Sequence, residues 1–218
     1  MKSRFLIGVL ALAPLLSSSL ALSQNALRWA EGAPNTTSDM KDGNKIEGLK
    51  TDDVSVYASL SDLKETEYNK VWVQISNHGK APINFDPGTA ILINEKDKTV
   101  RAEAPDKAAH SIQTFGEAKA QELSSAHCTN MIATGCQPTN TQMQMSKQVQ
   151  AFTSQQAEWV RTNGLTQKSI APGEEANGFI VFKKEKKKGN YILKITVGAQ
   201  VFEFPVSADN KAPTYDNM

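Results

Sequence analysis

Alternation of apolar and polar positions begins near Asp53. Val54, Val56, Ala58 and Leu60 alternate with Ser55, Tyr57 and Ser59, the period of two expected of a half-buried strand. Val71, Val73 and Ile75 repeat it, with Trp72 on the opposite face. Asn77-His78-Gly79-Lys80 is turn chemistry, and Ala81 to Phe85 returns as a short strand ended by Asp86-Pro87-Gly88. Ala90 to Asn94 and Lys98 to Arg101 predict a further hairpin around Glu95-Lys96-Asp97.

The period then changes. Between Asp106 and Ala126 the positions Ala108, Ile112, Phe115, Leu123 and Ala126 fit helical spacing, although Gly116 weakens the middle. Met145, Val149, Phe152 and Trp159 mark one face of a second helix. Thr139 with Gln142 offers a capping box, and Asn163-Gly164 a stop. Alternation resumes after the turn Ile170-Ala171-Pro172-Gly173-Glu174. Gly178 to Phe182, Leu193 to Val197 and Phe202 to Val206 read as an antiparallel meander.

Strands on both sides of a helical stretch predict a mainly β protein with an α insertion. The expected architecture is an immunoglobulin-like antiparallel β-sandwich over residues 51–206, interrupted at about 105–165 by a helical hairpin. Residues 24–50 carry few large apolar side chains and read as a flexible leader, and 207–218 as a flexible tail.

The first residues carry a targeting signal. Lys2 and Arg4 precede an apolar run from Phe5 to Leu16, and small residues offer cleavage after Ala21 (Ser19-Leu20-Ala21) or, the favoured option, after Ser23 (Ala21-Leu22-Ser23), so residues 1–23 read as a signal peptide. The run is shorter than the roughly 20 residues that span a bilayer, and no later segment reaches that length. The mature chain is therefore expected in the periplasm or secreted, without a transmembrane segment. In an oxidising compartment its two cysteines, Cys128 and Cys136, are most simply one disulfide stapling the tip of the hairpin.

Three segments together resemble secreted bacterial immunoglobulin-like domains of uncharacterised function. These are Ile75-Ser76-Asn77-His78-Gly79-Lys80-Ala81-Pro82-Ile83, Ile170-Ala171-Pro172-Gly173-Glu174 and Gly198-Ala199-Gln200-Val201-Phe202-Glu203-Phe204-Pro205. The resemblance covers Asp53 to Val206 without the helices. It implies a fold and supplies no catalytic residues, because its motifs are turn and strand signatures. The helical insertion departs from that pattern.

Composition narrows the function classes. With 24 Lys+Arg against 23 Asp+Glu, the 218-residue chain has no overall field to attract nucleic acid. There is no Gly-x-Ser-x-Gly elbow, His-Glu-x-x-His pair or phosphate loop, so an enzyme is not expected, and a secreted hydrolase ranks third among the readings. The second reading is periplasmic copper binding by His127, Met131, Met143 and Met145, since thioether and imidazole suit copper(I). Against it, residues two apart on a helix point about 200° apart, which separates Met143 from Met145. The single charge run supplies Lys183, Lys184, Lys186, Lys187 and Lys188, an interaction surface or a guard against edge pairing. The leading expectation is an exported, non-catalytic binding protein with a protein or cell-surface partner and no cofactor.

Overall fold

The structure, a computed structural model, describes residues 26–30, 37–41, 44–63, 66–125, 139–185 and 188–209. The long alternating runs become strands β4 (Val54–Asp62), β5 (Tyr68–Asn77), β10 (Glu175–Lys183), β11 (Gly189–Val197) and β12 (Gln200–Asp209). Shorter strands are β1 (Ala26–Trp29), β2 (Thr37–Lys41), β3 (Asn44–Lys50), β6 (Ile83–Phe85), β7 (Ile91–Asn94), β8 (Thr99–Glu103) and β9 (Lys168–Ile170). Two helices, α1 (Pro105–Ser125) and α2 (Asn140–Asn163), lie between β8 and β9.

Hydrogen bonding runs unbroken through the order β1-β12-β11-β7-β8-β10-β5-β4-β3-β2, with β6 and β9 paired beside β11. Every pairing between these strands is antiparallel. The fold is thus a mainly β, curled antiparallel sheet with a helical region. β8 joins its halves, pairing with β7 on one side and β10 on the other.

The curl brings the two ends of the path together. Leu27 on β1 donates its N–H to Asn69 on β5, and the Trp29 indole donates to the Lys45 carbonyl on β3. Val56, Val71, Val73 and Ile75 from one half meet Phe85, Leu193, Ile195 and Phe204 from the other in one buried core. Burying each such side chain contributes about 1.5–3 kcal/mol, so this inner face dominates the stability of the sheet.

Residues 24–50, expected as a flexible leader, instead contribute β1, β2 and β3 over their described part. The physical reason is that β1 needs only Leu27 and Trp29 to reach the core. β2 is exposed at positions 37–40, and β3 turns Leu49 to the core beside a buried Glu47 that pairs with Lys45 and accepts from the Ser38 hydroxyl. Ser207 and Ala208, expected in a flexible tail, likewise pair with Arg28 and Leu27 in the sheet.

The helices pack against each other as an antiparallel pair, but not through the face expected from sequence. Met145 is exposed and Val149, Phe152 and Trp159 are half-buried, whereas Thr153, Ala157 and Val160 are buried. They face Ala108, Ala109, Ile112, Gly116 and Ala120 of α1. Small residues let the two backbones approach closely, and a Cβ on Gly116 would lie 1.9 Å from Thr153 Oγ1. Thr139 and Gln142 form the reciprocal capping box at the start of α2. Cys128 and Cys136 lie outside the described residues, as do His127 and Met131.

Candidate functional site

The ladder between β8 and β10 contains only two pairs, Val181 with Glu103 and Phe182 with Ala102. Beyond it the strands diverge, and a cleft of about 1070 Å³ opens between the β7–β8 hairpin and the β10–β11 end. The hairpin contributes Lys96, Lys98 and Arg101, α1 contributes Lys107, and the lysine run contributes Lys183, Lys184 and Lys188. Against these seven cations stand Glu95, Glu103 and Glu185, so the wall is basic although the chain is nearly neutral.

The members of the lysine run do different things. Lys184 has a side chain only 6% exposed, ion-paired to Asp62 and donating to the Leu63 carbonyl. It is an anchor of the sheet. Lys183 is exposed and reaches Glu67 at 3.3 Å, and Lys188 is exposed beside Gly189. Lys186 and Lys187 lie outside the described residues. Lys98 pairs with Glu185 at 3.3 Å and Lys107 with Glu103 at 3.5 Å. Among the described residues, no ion pair engages Lys96 or Arg101. Sequence reasoning missed Arg101 and Lys96 as site residues, because their meeting with the lysine run depends on which distant strands become neighbours.

Behind the cleft, the buried Tyr68 hydroxyl donates to Glu103 at 2.7 Å. Burial pushes its phenol up to about 12; the Glu103 and Glu67 carboxylates add to the rise and a hydrogen bond with Ser111 opposes it. Burial also pushes the Tyr191 phenol up.

A second surface lies on the outer face of the sheet. Register places Trp72 beside Ser59 and Phe179, and Tyr57 beside Gly48 and Gln74, so both aromatic rings share one face. The helices do not cover Trp72 or Tyr57, which remain half-buried beside shallow grooves. Their cover stops at Trp159, which meets Phe179 edge-on at 4.6 Å. Lys70 lies 4.5 Å from the centroid of the same indole, and burial pushes its ammonium down from the ordinary lysine value. Tyr57 lies flat over Gly48, whose hypothetical Cβ would be 2.6 Å from the ring.

The remaining chemistry is dispersed. Of the four copper donors, only Met143 and Met145 are described; both are exposed on the first turns of α2. Ser55 and His78 share a 2.9 Å hydrogen bond, with Ser55 itself 2% exposed. Among the described residues, no carboxylate hydrogen-bonds the other ring nitrogen of His78. His110 is exposed on α1, far along the chain from either group. Among the described residues, no helix is long and apolar enough to cross a membrane.

No family model matches the chain, and no curated protein matches it. Among solved structures it is similar to the yjhA protein from Bacillus subtilis, with 11% identity, a TM-score of 0.32, and coverage of 73% of this chain and 76% of that one. A likeness of that size carries no argument about activity.

Proposed function

We propose that this is an exported, non-catalytic binding protein that engages an anionic protein or cell-surface partner at the cleft between β7–β8 and the β10–β11 end. The observation that carries the reading is local charge. Seven cations against three carboxylates line one concavity of a chain whose formal charge is only +1, and the excess stays positive once Asp62 and Glu67 are set against Lys184 and Lys183. Two of those cations, Lys96 and Arg101, have no internal ion pair among the described residues and remain available for a ligand. Such a field steers and orients a partner more than it sets raw affinity.

Export through cleavage after Ser23, an immunoglobulin-like relationship and a Cys128–Cys136 bridge belong to the same reading. They rest on the signal-like start, the turn motifs and the presence of two cysteines with no third thiol in the sequence. Periplasmic copper binding and hydrolysis lack an observation that favours them over the cleft.

A fluorescent hexaglutamate peptide and sulfated dextran test the reading, titrated against the wild type and a Lys96→Glu/Arg101→Glu variant. Expected is salt-sensitive binding of at least one anion, lost in the variant. Equal binding by both proteins, or none by the wild type, would overturn it. For export, N-terminal sequencing of the protein from the envelope fraction is expected to begin at Gln24, and a retained Met1 would reject cleavage.

A further inference from the structure

We infer that the cleft takes its partner as an extended acidic peptide segment, which adds a strand to the open edge of β8; this rests on the proposal that the cleft is the binding surface. The edge can be read from the register. The Ala102 N–H donates to the Ala90 carbonyl, on the β7 side. Backbone groups alternate sides along a strand, so those of Arg101 and Thr99 point the other way, into the cleft. On that side the ladder to β10 ends at Phe182 and Ala102. Among the described residues, no strand pairs with Thr99 or Arg101 there.

The ladder stops for an electrostatic reason. Continuing the register would set Arg101 opposite Lys183, and like charges directly opposite destabilise an antiparallel pair. β10 is instead drawn toward the other side, where Lys183 reaches Glu67, and the Lys184 N–H donates to the Glu67 carbonyl at 2.7 Å. The result, among the described residues, is a short unpaired edge with Arg101 on one bank and Lys183 on the other.

A free edge flanked by cations selects an occupant. Its backbone donors and acceptors fit a β-strand, by the same strand addition that sheet-edge binders use. Arg101 and Lys183 are exposed, whereas Val100 and Ala102 turn toward the interior. A strand laid beside β8 therefore meets cations on one face and apolar surface on the other. The segment that fits alternates acidic with small apolar residues.

The probe is a capped heptapeptide of alternating Glu and Val, titrated by fluorescence anisotropy against the intact protein. Two comparison peptides keep one property each: an N-methylated form with the same charge but blocked edge donors, and an alternating Lys and Val form. We expect the Glu–Val peptide to bind, and the N-methylated form to bind about tenfold more weakly or worse, as expected when ladder hydrogen bonds are lost. The Lys–Val form should not bind. Arg101→Glu, and the milder Arg101→Gln, should each weaken the Glu–Val peptide, with unchanged thermal melts showing that the fold persists. If the N-methylated peptide binds equally well while Arg101→Glu abolishes binding, strand addition is wrong and the anionic cleft survives. If no acidic probe binds, or Arg101→Glu changes nothing, both proposals fail.

Discussion

Replacing Gly116 by alanine sets two local effects against each other. In an isolated helix the change stabilises by about 1 kcal/mol, because glycine is the poorer helix former. Here the new methyl carbon would sit 1.9 Å from Thr153 Oγ1, 2.5 Å from its Cβ and 2.9 Å from its Cγ2. Thr153 cannot simply turn away: it is buried, and its hydroxyl donates to the Val149 carbonyl at 2.9 Å. Restoring carbon–carbon contact of about 3.5–4.0 Å requires the helices to separate by about 1 Å or more. Overpacking of this kind costs about 1–3 kcal/mol, so the expected net effect is a loss near 1 kcal/mol and a Tm lower by about 2–4 °C. Urea unfolding followed by ellipticity at 222 nm measures the loss. The double variant Gly116→Ala with Thr153→Gly returns space to the seam. It should be more stable than Gly116→Ala alone, with a coupling energy of about 1 kcal/mol. A Gly116→Ala protein more stable than the wild type would refute the reasoning, since it would mean the seam opens freely and only propensity counts.

Three other outcomes are expected. Tyr68 has its phenol raised from 10.0 to about 12 in the fold, so the unfolded chain releases that proton first. Its contribution is complete below about pH 10 and is lost as pH rises toward 12. Alkaline melts of the wild type should therefore fall more steeply than those of Tyr68→Phe, and parallel curves would count against it. Lys184→Ala should cost about 2 kcal/mol, discounted because its partner Asp62 is partly exposed, while Lys183→Ala should cost under about 0.5 kcal/mol. Denaturant midpoints decide, and equal losses would reject the division of roles. Excising 105–165 in favour of a short Gly/Ser linker should abolish cooperative melting, because Ala108, Ile112, Ala157 and Val160 share a buried cluster with Tyr68 and Val181. Trimming only between Gly116 and Thr153 should preserve it, and an intact melt in the full excision would place those helices outside the core.

How much of this was legible depends on the kind of signal each element carries. β4 and β5 show plainly in sequence because valine and isoleucine alternate over a whole strand with one buried face. β2 and β3 do not, since Thr37–Lys41 and Asn44–Lys50 are largely polar strands beside an already formed sheet. The extents of α1 and α2 follow from helical period, the capping box and the stop at Gly164. Their contact face does not, because searching for large apolar residues finds Phe152 and Met145, whereas close approach selects Gly116, Ala157 and Thr153. The lysine run lies at the end of the molecule where the cleft opens. Its division into the anchoring Lys184 and the exposed Lys183, and its meeting with Arg101, depend on pairing between segments about 80 residues apart in the chain.

The base of the helical hairpin is pinched. Gly164 closes against Pro105, whose side chain would lie 2.5 Å from a Cβ at position 164. The chain then rejoins β10 at once through the Leu165 N–H and the Phe179 carbonyl, at 2.8 Å. The excursion from Pro105 to Gly164 therefore leaves and re-enters the sheet at touching ends, while the turns nearest the base pack on Tyr68 and Val181. Anything beyond the first turns above that base can lengthen, shorten or be exchanged without the strands registering the change. The molecule has in effect a socket, from which the far ends of α1 and α2 project while the curled sheet keeps its own register.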